Sequence, residues 1–288
     1  MATPDSAPPW LPYRALHPHA PTVVGDLRVL PRVASPELGN RRDLLVCLPP
    51  SYATGERRYP VLYMQDGQNL FDAATSFSGE WRVDETMEAL AAEGREAIVV
   101  GVPNAGSERL DEYSPWRESD RGGGRGDAYV RFLVETVRPL VDAEFRTRRE
   151  PRATGVLGSS LGGLITLYAF FSRPDVFGLA GALSPAVLFA GGAMLDFLAR
   201  QPRVGGRIYL DTGTREGGFT PLDRFFGGLF ASRPYVRGVR RARRLLEKKG
   251  YRAGEDLLYL EEPGALHHEA AWSRRLPAAL RFLLRGVA

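Results

Sequence analysis

Apolar residues along this chain fall into short unbroken runs, separated by longer segments in which they recur every three or four positions. The runs at 61–64, 97–100, 154–157, 179–183, 207–211 and 256–260 read as buried strands. The segments at 81–93, 127–145, 164–171, 193–201, 235–249 and 268–284 carry helical spacing, with Pro139 set to kink or divide the second of them. Two β-rich stretches, 23–33 and 43–48, precede this alternation. Strands alternating with helices of this length imply right-handed crossovers and a mostly parallel sheet covered by helices on both faces. The two opening stretches are expected to pair as an antiparallel edge. Gly122–Gly123–Gly124 marks a loop rather than a boundary, so residues 21–288 are expected to form one α/β domain after a loose Pro-rich segment, 1–20.

Composition narrows the function classes. The 288 residues are 44% hydrophobic and 25% charged, as in an ordinary soluble globular protein. No apolar run approaches the length of a membrane span, and the first twenty residues lack the basic start and apolar centre of a secretory signal, so the cytoplasm is the expected location. Cys47 is the single cysteine and lies in a strand pattern, which excludes an intrachain disulfide or a thiolate metal cluster. The net charge of +4 comes almost wholly from arginine. Its densest cluster, 237–249, interleaves Val239, Ala242, Leu245 and Leu246 at helical spacing, which marks a solvated basic face rather than a nucleic-acid surface. Neither a nucleic-acid partner nor a membrane is expected.

The chemistry concentrates at Gly158-Ser159-Ser160-Leu161-Gly162, a Gly-x-Ser-x-Gly sequence between a strand pattern and a helix pattern. Chance alone produces such a match in roughly one chain of this length in ten. A serine at a strand-to-helix corner is held in a strained turn with its hydroxyl exposed, and the following helix aims its positive end at a developing oxyanion. Ser160 needs a base. Of the four histidines, His17 and His19 lie in the loose start, whereas His267 and His268 follow the last strand, at the carboxyl edge where the Ser160 corner opens. The third member should come from a loop between them. Glu216, beyond a Gly-bearing turn, is favoured over Asp211 and Asp223. An oxyanion hole would use the amide of Leu161 and that of Gly67 or Gln68, after the 61–64 strand. Asp66 and Asn69 in that loop lack the spacing of an EF-hand calcium site.

These motifs together resemble the esterase D-like family of α/β-hydrolases, which includes feruloyl esterases, S-formylglutathione hydrolases, siderophore esterases and mycolyltransferases. The resemblance spans about 44–284. It rests on Leu48-Pro49-Pro50-Ser51-Tyr52, on 59–71 with Gln65-Asp66-Gly67-Gln68-Asn69, on the Ser160 motif, on Leu183-Ser184-Pro185-Ala186, on Gly213-Thr214-Arg215-Glu216 and on His267-His268-Glu269-Ala270-Ala271-Trp272. It implies an α/β-hydrolase fold, Ser160 as nucleophile, His267 as base, Glu216 as acid, a small-molecule ester substrate, and no metal or organic cofactor.

Substrate contacts are expected from Asp66, Ser159, Phe219 and Trp116. The aromatic series Phe219, Phe225, Phe226, Phe230 and Tyr235 would form an apolar wall or bury its own loop, and Arg109 and Arg117 would suit an anionic substrate. Acyl transfer to an alcohol other than water, and a non-catalytic binding scaffold, are the alternative readings.

Overall fold

The computed structural model describes residues 9–119, 121–217 and 229–287, with the side chains of 229–231 left aside. Its centre is a nine-stranded sheet in the order β1-β2-β3-β5-β4-β8-β9-β10-β11. These strands are β1 (Leu11–Pro12), β2 (Asp26–Ser35), β3 (Asn40–Leu48), β4 (Val61–Gln65), β5 (Ile98–Val102), β8 (Thr154–Ser159), β9 (Leu179–Leu183), β10 (Arg207–Arg215) and β11 (Leu257–Leu266). The intervening β6 (Arg117–Glu118) and β7 (Gly122–Gly123) form a separate two-stranded ribbon. β1, β2 and β3 pair antiparallel, and β3 joins β5 antiparallel. From β5 to β11 every pairing is parallel. The antiparallel edge and parallel body match the sequence expectation.

Alternation within single strands divides the core between the two faces. In β4, Val61 and Tyr63 join one apolar cluster and Leu62 and Met64 the other. Each such fully buried side chain contributes about 1.5–3 kcal/mol by leaving water. Helix α6 (Leu161–Ser172) and α7 (Phe189–Arg200) cover the first face together with α8 (Leu229–Lys248), which buries Val239, Ala242 and Leu246 and leaves its arginines outward. Helix α2 (Val83–Ala91) and the last helix, α9 (Glu269–Leu283), cover the second. Among the described residues no helix is long and apolar enough to cross a membrane.

Some boundaries differ from the sequence expectation for physical reasons. The 127–145 segment is three pieces: α4 (Gly126–Arg131), a π-helical stretch Phe132–Val137, and α5 (Arg138–Glu144). Pro139 has no N–H to donate and its ring crowds the preceding turn, so the turn before it widens. The short α1 (Tyr13–Leu16) and β1 tie the Pro-rich start down: Leu11 pairs with Val29, and the buried Tyr13 donates its hydroxyl to Asp72 Oδ2 at 3.1 Å. Strands β10 and β11 run past the apolar runs at 207–211 and 256–260, ending beside Glu216 and His267.

Candidate active site

The carboxyl ends of five parallel strands, β4, β5, β8, β10 and β11, converge on one cleft. β8 ends at Ser159 and hands over to Ser160, whose φ of 56° and ψ of −120° are a conformation disfavoured for a side-chain-bearing residue. Neighbouring backbone holds it there. Ser160 N–H donates to Leu183 O at 3.0 Å, and Ser160 O accepts from Ala186 N at 2.9 Å and Leu164 N at 3.0 Å. A Cβ on Gly158 would lie 2.5 Å from Gln65 Oε1 and 2.8 Å from the Gly162 carbonyl carbon, so the turn closes only with glycine there. Ser160 caps α6, and Leu161 opens that helix, so its amide has no acceptor within the helix.

At the end of β10, Glu216 is fully buried and its Oε2 lies 2.6 Å from His267 Nδ1 at the end of β11. Gly213 allows these two strand ends to close together, because a Cβ there would sit 2.3 Å from Ala265 O. The other oxygen, Oε1, accepts from Ser184 Oγ at 2.6 Å, from Thr212 Oγ1 at 3.3 Å and from the Gly213 amide. Burial by itself would raise the Glu216 carboxyl. The bonds from His267, Ser184 and Gly213 outweigh that penalty and hold it below its ordinary value. The His267 ring stands edge-on to Tyr235 at 5.2 Å and to Trp272 at 4.9 Å. Tyr235 donates to Ser184 O at 2.6 Å, and its phenol has the Ser160 hydroxyl beside it. Burial, then the Glu216 charge, push that phenol well above its ordinary pKa.

A second layer supports the acid. Buried Arg275, from α9, donates Nη2 to Ser184 Oγ at 2.8 Å, Nε to Asp211 Oδ2 at 2.9 Å and Nη1 to Glu262 Oε2 at 3.0 Å. Asp211 therefore faces Arg275 and Tyr209. Burial raises its carboxyl to about 6, with Arg275 opposing. His268 instead caps α9, accepting from Ala270 N at 3.2 Å, with its side chain 53% exposed. Asp223 lies outside the described residues.

The cleft, of about 1110 Å³, is lined by Ser160 and His267, by Ser159, Asp66 and Gln68, and by Phe77, which is 89% exposed at its mouth. Gln68 reaches the cleft wall. Gly67 packs against the β5 backbone instead, where a Cβ would lie 2.7 Å from Gly101 and Val102. Asp66 accepts both arms of Arg109, at 2.7 and 2.8 Å, and Asn104 Nδ2 at 2.6 Å. Burial disfavours the Arg109 charge, but Asp66 more than restores it and leaves its pKa raised. That charge is thus already matched, which weakens Arg109 as a receptor for an anionic substrate. Trp116 does not line the cleft; its ring packs on Tyr168 and Phe197, each at 5.6 Å. Arg117 is exposed on the β6–β7 ribbon. Phe219, Phe225 and Phe226 lie outside the described residues, as does the side chain of Phe230.

Sequence reasoning passed over Ser184, Arg275 and Phe77. Ser184 sits within Leu183-Ser184-Pro185-Ala186, and Phe77 is a lone aromatic in a Ser-rich loop. Arg275 is indistinguishable by sequence from its many neighbours of the same kind.

A family model described as "Putative esterase" matches residues 35–283. The uncharacterized protein YbbA of Bacillus subtilis is 30% identical over 254 residues, covering 85% of this chain and 93% of YbbA. A siderophore triacetylfusarinine C esterase of Aspergillus fumigatus is 31% identical over 140 residues, 46% of either chain. Among solved structures, the enterobactin esterase of Shigella flexneri superposes with a TM-score of 0.70 at 20% identity, covering 93% of this chain. This chain spans only 61% of that protein's length. The shared architecture is the α/β-hydrolase fold.

Proposed function

Since the chain belongs to this esterase family, and is a carboxylic ester hydrolase, we propose that it works through an acyl-enzyme formed on Ser160. The observation that carries the reading is the buried Glu216–His267 pair, 2.6 Å apart, opening onto the same cleft as the strained Ser160 turn. In this scheme Glu216 fixes the imidazole with its proton on Nδ1, which leaves Nε2 to accept the Ser160 proton as the hydroxyl attacks the ester carbonyl. The Leu161 amide at the head of α6, with that of Gln68 or Gly67, would hold the oxyanion. His267 then protonates the departing alcohol, and water repeats the sequence on the acyl group. Among the described hydrogen bonds none joins Ser160 directly to His267. Such bonds are commonly long in resting enzymes and tighten in the substrate complex.

The cleft suits a bulky ester better than a short acyl chain. It is wide, mixed in polarity, and carries the exposed Phe77 ring at its mouth, a surface on which an aromatic acyl or alcohol group would stack. The names of the relatives, esterases of siderophores, are compatible with such a substrate. Ser160→Ala is expected to lower turnover of a small aryl ester by at least about a thousandfold with an unchanged circular dichroism spectrum. A fluorophosphonate should label Ser160 in the wild type. Retained turnover in the variant, or labelling elsewhere, would remove the assignment, and a scaffold without activity would not label at all.

A further inference from the structure

The wall of the cleft that carries Phe77 leads, a few residues later, into a cluster of carboxylates that the ester chemistry does not use. Among the described residues, Glu80, Asp84 and Glu85 are the only trio of potential metal-ligating side chains whose ligand atoms all lie within 4.8 Å of one another. Asp84 is fully buried. Its Oδ2 accepts the Val24 amide at 2.8 Å, whereas Oδ1 receives no donor. Glu80 Oε1 and Glu85 Oε2 are likewise buried without a donor. Three acceptor oxygens are therefore withdrawn from water at one place without a hydrogen-bond donor, with the Asp84 and Glu85 carboxyls side by side. An unsatisfied buried acceptor is costly, and more so when charged, so three together call for a ligand that accepts their electron pairs.

The surroundings do not supply one. Arg82 pairs with Glu85 through the other oxygen, Oε1, at 3.0 Å, and its own side chain is 65% exposed. The Thr22 hydroxyl lies near Glu80, and Asp72 adds a fourth negative group nearby. Both Asp84 and Glu85 stand in the first turn of α2, whose amide dipoles favour anions but do not saturate these oxygens. Burial first, then neighbouring Glu85, raise the Asp84 carboxyl to about 8, and burial with Glu85 also raises Glu80.

We propose that Glu80, Asp84 and Glu85 form a binding site for a hard divalent cation of calcium type. An all-carboxylate donor set at this separation matches the flexible oxygen shell of calcium, and the partial exposure of Glu80 and Glu85 gives the ion a way in. The bound ion would clamp the end of the Phe77-bearing loop to the start of α2. That loop already rests on the catalytic side of the molecule: a Cβ on Gly79 would lie 3.6 Å from Glu269 and 3.9 Å from His268. Trp81, between the ligands, packs on Trp272 at 5.8 Å, and Trp272 contacts His267. The ion thus acts on the shape of the cleft and takes no part in bond making.

The test uses the whole chain, stripped with a chelator and titrated with calcium chloride, with magnesium chloride for comparison. Isothermal titration should show one saturable calcium site, and millimolar calcium should raise Tm by at least about 3 °C. Terbium should bind competitively, with emission excited through tryptophan and quenched by calcium. Asp84→Asn and Glu80→Gln should each abolish the calcium-dependent rise while the chelated variants keep the wild-type fold. Should Asp84→Asn fail to fold, Glu80→Gln and the terbium competition on the wild type decide. No saturable binding, or a Tm rise that survives both substitutions, would overturn the site. Variants more stable than the wild type with calcium having no effect would show instead that the carboxyl groups share a proton.

Discussion

Glu216 and Asp211 lie five residues apart on one strand end and share the neighbour Arg275, yet their environments set them to different tasks. Glu216 collects donors on both oxygens and is held ionised below its ordinary value, facing the imidazole. Asp211 is raised to about 6 and faces Arg275. Glu216→Gln should therefore lower kcat for an aryl ester by about 10²–10⁴-fold with little change in KM. Asp211→Asn should keep kcat within about tenfold of the wild type, because its bonds do not reach His267. Steady-state kinetics on the two purified variants check this, and a collapse of kcat in Asp211→Asn alone would transfer the role of the acid. Phe77→Ala belongs to the same scale: it should raise KM for a bulky aromatic ester several-fold while kcat stays near the wild type, since the exposed ring lines the cleft and takes no part in the proton transfers proposed for Ser160 and His267.

At the level of elements, the Ser160 turn depends on backbone approach more than on any side chain. Gly158→Ala would push a methyl into Gln65 and the Gly162 carbonyl, and either β4 or α6 must move. The expected loss is about 1–3 kcal/mol, read by urea denaturation, with activity falling further than stability because the hydroxyl shifts with the turn. This part of the molecule was legible in the sequence: uninterrupted apolar runs gave β4, β5 and β8, and Gly-x-Ser-x-Gly stood at the junction to α6. The far ends of β10 and β11 were not. Thr212–Arg215 and Glu261–Leu266 contain glycine, proline and charge, and nothing in their own composition marks them as paired strands. They pair because the preceding apolar residues have fixed their register. Residues 132–137 were hidden for the opposite reason, since helical spacing does not distinguish an α-turn from a π-turn. The Ser184–Arg275 support could not be read at all, because a buried arginine carries the same letter as an exposed one.

For the whole molecule, the pH dependence of stability follows from these same buried acids. An acid whose folded pKa lies above its unfolded value binds its proton more readily in the native state, so it makes stability fall as pH rises between the two values. For Asp211 that window runs from its ordinary value of 3.8 to about 6. Glu216, lowered on folding, acts the other way: its contribution is present above its ordinary carboxyl value and fades as pH falls through the lower, folded one. Urea midpoints measured from pH 4 to 7 should decline less steeply in Asp211→Asn than in the wild type. An identical slope would mean that Asp211 is ionised throughout.

Position 267 directly follows β11, the strand at one end of the sheet, which among the described residues forms its strand ladder with β10 alone. Rims of sheets open at a lower free-energy cost than their centres. Warming should therefore silence the enzyme at a temperature where most of the helix signal survives, and amide protons of 257–266 should exchange with deuterium ahead of those of 154–159. Engineering for endurance would do well to brace that rim first.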